Sequence, residues 1–120
     1  MMAESREAAQ AKADEYRRRL YTTTEELDPL TRQPRLVRTP TPLRQAYEAG
    51  RLAHEAAARR YQALRLEANT SNDPRTVLDF AQNAPLYRQP VQAALADWVT
   101  NGFKNEVEMM EAYLARVGQD

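Results

Sequence analysis

The sequence predicts an all-α fold: an irregular helical bundle built on one long central helix, preceded by an N-terminal helix and an extended Pro/Arg-rich arm. Three observations carry this. Apolar residues recur at alternating spacings of four and three over several long stretches, which marks one face of a helix. Four of the seven prolines crowd into residues 29–42. No stretch alternates apolar with polar residues over a strand length, so no sheet is expected. The corresponding divisions are an N-terminal helix over 1–21, the arm over 22–42 and the bundle over 43–120.

Taken in order, residues 4–21 are rich in strong helix formers and place Ala9, Ala13, Tyr16 and Leu20 on one thin stripe. Ordering a residue's backbone costs about 1–2 kcal/mol, and a buried leucine or aromatic returns about 1.5–3 kcal/mol. So sparse a stripe needs a surface to lie against. The arm follows, where Pro29, Pro34, Pro40 and Pro42 each remove a backbone donor and push the preceding residue out of helical dihedrals. Leu36 and Val37 form a lone apolar pair within it, suited to plugging a pocket. From Pro29 to Tyr47 the chain carries Arg32, Arg35, Arg38 and Arg44 and no acid.

Thr41 followed by Pro42 reads as an N-cap and first helical residue, opening the longest helix, expected to run to about Ala68. Its seam is Leu43, Tyr47, Gly50, His54, Ala57, Tyr61, Leu64 and Ala68, and the small residues 50 and 57 admit a closely packed neighbour. Asp73-Pro74 repeats the cap signature and starts a short helix expected to end near Asn83, before Pro85. Pro90 is expected to open another helix, carrying Val91, Ala94, Leu95, Trp98 and Val99 and stopped by Asn101-Gly102. The last helix, 103–117, aligns Phe103, Val107, Met110, Leu114 and Val117, and these three helices are expected to pack on the long one.

The residues exclude several chemistries. Without cysteine there is no disulfide, thiolate metal site or cysteine nucleophile. The three glycines are scattered, so no phosphate-cradling loop exists. His54 is the lone histidine, too few for a histidine metal site, and reads as a seam residue. Glu108 and Glu111 share a helix face but lack the Glu-x-x-His partner of helical di-metal proteins. No catalytic residue, cofactor or metal is therefore expected, and no enzyme.

Seventeen basic and seventeen acidic residues cancel overall, although residues 1–60 carry +3 and 61–120 carry −3. Charge arguments are thus local. The opening residues Met1 to Glu7 are polar and acidic, unlike a secretory signal, and no segment is apolar enough to span a bilayer, so the expected location is the cytoplasm or a virus particle assembled in the bacterial cytoplasm. The heavy preference for Arg over Lys, fifteen to two, points to a GC-rich bacterial or phage genome.

The expected function is a structural or adaptor subunit that docks into a larger assembly, a bacteriophage particle being the favoured example. Its partners are proteins or copies of itself, contacted through Arg32, Arg35, Leu36, Val37 and Arg38 of the arm and Tyr16 and Leu20 of the first helix. Two alternatives compete. One is an inhibitor of a host complex whose acidic last helix, with Glu106, Glu108 and Glu111, mimics nucleic acid. The other is a sequence-independent nucleic-acid binder gripping phosphates with the arm arginines and Arg17-Arg18-Arg19. Reading of DNA by the last two helices is disfavoured, because the second carries more acids than bases.

Overall fold

The fold is a computed structural model that describes residues 5–118. It is predominantly α-helical, in the order α1 (Arg6–Leu20), β1 (Tyr21–Leu27), β2 (Pro34–Pro40), α2 (Pro42–Thr70), α3 (Pro74–Thr100) and α4 (Phe103–Gly118). The chain divides into two compact units: residues 5–47 with 103–118, and residues 48–102. α2 contributes its first residues to one unit and the rest to the other.

In the first unit α1 lies on α4. Ser5 caps α1, its hydroxyl accepting from the Ala8 amide at 3.1 Å. The sparse stripe finds its surface here. Ala13 and Leu20 are fully buried, and Leu20 shares a core with Val107 and Met110, against which Tyr16, Tyr21, Leu43, Tyr47 and Leu114 pack. Tyr113 is also buried, makes an edge-on contact with Tyr16 at 5.2 Å, and donates a hydrogen bond to the Ala9 carbonyl at 3.2 Å. α4 therefore packs on α1 and, through Leu43 and Tyr47, on the first turns of α2.

The segment expected to be an extended arm without a sheet is instead an antiparallel β-hairpin, with Tyr21 opposite Pro40, Thr24 opposite Val37 and Leu27 opposite Pro34. Three successive threonines favour the strand. Two of the arm prolines, Pro34 and Pro40, sit at the two ends of β2, where a missing amide costs the ladder least.

The second unit is an antiparallel helical hairpin, in which the rest of α2 turns back into α3 through Ser71–Asp73. Asp73 caps α3 as expected, accepting from the Arg75 amide at 2.9 Å. The predicted break between Asn83 and Pro90 is absent, and α3 runs through both Pro85 and Pro90. Each proline removes one helical hydrogen bond and clashes with the preceding turn, a cost of about 3 kcal/mol. What opposes that cost is the row Phe80, Ala84, Tyr87, Val91, Ala94 and Trp98, which keeps α2-facing spacing across both prolines. The Tyr61 ring meets Phe80 at 5.9 Å, and Arg88 donates to the Tyr61 hydroxyl at 3.0 Å. Pro85 and Pro90 are exposed, away from that row.

Trp98 is the buried anchor of this unit and seats directly over Gly50. A Cβ placed on Gly50 would come within 2.8 Å of the indole Cγ and Nε1. Gly50→Ala should therefore push Trp98 from its seat and destabilise by about 1–3 kcal/mol. Urea unfolding followed by the fluorescence of this single tryptophan checks it, and an unchanged midpoint would refute the close approach. Leu20→Ala, which empties the first unit's core, should cost about 2–5 kcal/mol in urea unfolding followed by circular dichroism.

Candidate docking interface

The hairpin is held at its base. The Thr41 amide donates to the Leu20 carbonyl at 3.0 Å, its hydroxyl bonds the Arg19 carbonyl, and it accepts from the Arg44 amide at 3.5 Å as the expected cap of α2. Arg44 then ties three elements together. Its Nε donates to the Tyr21 hydroxyl at 3.2 Å and lies 3.3 Å from Glu111, while its guanidinium stands 4.9 Å from the Tyr47 ring centre. Arg19 forms an ion pair with Glu106.

Beyond this base the hairpin is almost wholly exposed on both faces. Its turn is built by Asp28, whose carboxylate accepts from the Leu30 and Thr31 amides at 2.8 and 3.3 Å, while its carbonyl accepts from the Arg32 amide at 2.8 Å. Arg32 closes the turn in the left-handed region, with φ 56°, a conformation that favours glycine. It is a turn residue before it is a contact.

Strand alternation sorts the remaining expected contacts onto opposite faces. Leu36 and Arg38 share one face with Leu27 and Pro34; Val37 and Arg35 share the other with Thr24 and Glu26. Leu36 and Val37 therefore cannot enter one pocket together. Leu27 is 69% exposed, Leu36 74% and Leu30 at the tip 94%. Leu27 and Leu30 escaped the sequence reading because an arm without strand register gives no reason to group them with Leu36. Tyr16 and Leu20, expected to meet a partner, are instead spent on the chain's own core, Leu20 completely.

Pairing of the strands also redistributes charge. The three arm arginines, 32, 35 and 38, are matched within residues 21–40 by Glu25, Glu26 and Asp28, and Glu26 stands directly opposite Arg35. The hairpin carries no net charge. On α4, Glu106 and Glu111 face Arg19 and Arg44, and Glu108 accepts from the Tyr47 hydroxyl at 3.5 Å. Each of those acids thus has a partner within the chain.

His54 is half-buried with its ring 5.9 Å from that of Trp98, and its neighbour Glu55 pairs with Arg51 at 2.6 Å. Among the described residues no group of three or more His, Cys, Asp or Glu side chains is placed to hold a metal ion, and no helix is long and apolar enough to cross a membrane.

Two tyrosines report on these contacts. Tyr47 is held above the ordinary tyrosine pKa of 10.0, first by burial and then by the charges of Glu108 and Glu111. Tyr87 is raised chiefly by its hydrogen bond to Asp79, at 2.6 Å. The neutral phenols are favoured in the folded state, so their contribution is full below about pH 10 and is lost as pH rises through the elevated folded values. Alkaline titration by absorbance should show a late tyrosine phase that Tyr47→Phe and Tyr87→Phe remove together; its survival in the double variant would contradict both assignments. No protein-family model, curated protein or solved structure matches the chain.

Proposed function

We propose that the protein is a structural or adaptor subunit, without catalytic activity of its own, that docks into a larger macromolecular assembly through its β-hairpin. The observation that carries the reading is a hairpin exposed on both faces with three leucines in water. A two-stranded hairpin in isolation is marginally stable in water, and hydrophobic-face coverage is what normally secures one. A partner surface laid over Leu27, Pro34 and Leu36, with Leu30 reaching beyond them, supplies that coverage. The open backbone edges add a second means of attachment, by strand addition.

Each strand of the hairpin has one unpaired edge. Pro34 and Pro40 interrupt the edge of β2, whereas β1 contains no proline, so β1 is the edge fitted to receive a partner strand. The partner this arrangement fits is another protein, recognised by apolar and backbone contacts.

Leu27→Asp with Leu36→Asp should remove about 1.5–3 kcal/mol of docking energy per leucine and leave the helical circular dichroism unchanged. In the cells that make the protein, the wild type is expected to sediment with high-mass assemblies and the double variant to remain in the low-mass fraction. Equal sedimentation of the two would overturn the hairpin as the docking element.

A further inference from the structure

The two edges of the hairpin are not equivalent. In an antiparallel ladder, hydrogen-bonded residue pairs alternate with pairs whose amides and carbonyls turn outward. The Thr41 amide bonded to the Leu20 carbonyl and the Asp28 amide bonded to the Gln33 carbonyl lie at the two ends of the register and fix its phase. The bonded pairs are accordingly those of Thr22, Thr24 and Glu26, and the backbone groups of Tyr21, Thr23, Glu25 and Leu27 face away from β2. Tyr21 is already engaged, its amide donating to the Arg17 carbonyl at the end of α1. Thr23, Glu25 and Leu27 remain, and each presents an amide and a carbonyl along an exposed strand. On β2 the outward positions are Pro34, Leu36, Arg38 and Pro40, and both prolines lack an amide there.

We infer that the β1 edge takes an extended segment of a partner protein in which an apolar residue adjoins two consecutive basic residues, an inference that rests on the hairpin being the docking element. Charge argues for that occupant. The hairpin has no net charge, yet its strands divide the signs: β1 holds Glu25 and Glu26 and no base, and β2 holds Arg35 and Arg38 and no acid. Side chains opposite one another on neighbouring strands interact, and opposite charges stabilise the pair whereas like charges destabilise it. Glu25 has Leu36, not a cation, across the hairpin, so the open side is the directly opposite position left to a counter-charge. A strand laid along β1 sets consecutive residues beside Glu25 and Glu26, one on each face of the sheet, and the next residue beside Leu27. Two basic residues and an apolar one complete that row in either chain direction.

A second copy of β1 fits this edge poorly. Antiparallel pairing about a two-fold axis at Thr23 or Thr24 brings Glu25 or Leu27 of one copy opposite Tyr21 of the other, where the Arg17 carbonyl already holds the Tyr21 amide. An axis at Glu25 or Glu26 sets that residue against its own mate, and one at Leu27 sets Glu26 against Asp28. Every register thus meets either the end of α1 or a like charge. A basic strand from another protein meets neither, since it needs to cover only Thr23 to Leu27 and can run on past the turn.

Amide exchange on the full chain, read residue by residue by NMR, tests this with the peptide Thr-Val-Lys-Arg-Val-Thr and its acidic counterpart Thr-Val-Glu-Asp-Val-Thr. Without peptide, Thr22, Thr24 and Glu26 should exchange slowly and Thr23, Glu25 and Leu27 fast. The basic peptide should slow the second set, and the acidic peptide should bind about tenfold or more weakly than the basic one. Glu25→Gln with Glu26→Gln should bind the two peptides alike, while slow exchange at Thr22 and Thr24 shows that its hairpin is intact. Absence of slowing at the outward amides, equal binding of both peptides by the wild type, or an undiminished preference in the Gln variant would each overturn the inference. Protection of Thr23, Glu25 and Leu27 that rises with protein concentration alone would assign the edge to a second copy and overturn it as well. Loss of sedimentation in the Leu27/Leu36 variant without binding of the basic peptide would leave hairpin docking standing and remove this occupant; binding of the basic peptide beside unchanged sedimentation of that variant would confine the failure to the docking reading.

Discussion

Leu20 packed against Val107 and Met110 is the contact on which the first unit rests. It joins the end of α1 to the middle of α4, residues far apart in the chain, and so must offset the entropy of closing a long loop. Once closed, it fixes the point where Tyr21 leaves the core and β1 begins. Thr41 returns to that same point through its bonds to Arg19 and Leu20, so that the hairpin enters and leaves over one buried leucine. Arg44 converts the entry point into an anchor by engaging Tyr21 and Glu111 together. A cavity at Leu20 would loosen the base of the hairpin as well as the core.

The second unit rests on a different principle. Its α2 seam is mostly small or polar, with Gly50, His54, Ala57 and Ala68 set beside Tyr61 and Leu64, and large aromatic residues project from α3 to meet it. Gly50 is flat so that Trp98 can lie on it. This small-against-large matching explains how α3 tolerates Pro85 and Pro90. The aromatic row continues in register on either side of each proline, and a break at either would take part of it off the α2 seam.

The periodic signal therefore read well where a helix had a continuous seam, as in α1, α2 and α4, and where capping chemistry marked a boundary, as at Thr41, Asp73 and Gly102. It failed where local and tertiary preferences disagree. The prolines of α3 are local breakers that a long-range seam overrides. In residues 22–40 neither strand shows apolar alternation, because neither face of the hairpin is buried by the chain itself; the pattern that reveals a strand is a consequence of burial. Arg35, Leu36, Val37 and Arg38 were visible as an accessible cluster, but their division between two faces depends on the register with β1, which no local feature of residues 34–40 contains.

That register also changes the chemistry of recognition. Read along the chain, the stretch from Pro29 to Tyr47 carries four arginines and no acid, which keeps a polyanion among the alternatives to a protein partner. Folded against β1, its arginines stand among Glu25, Glu26 and Asp28, and the same residues become the polar surround of Leu27, Leu30 and Leu36. Charge so arranged contributes orientation and discrimination more than net attraction. In a chain whose charges sum to zero, selectivity then rests on the register of the two strands, and a one-residue slip would undo it.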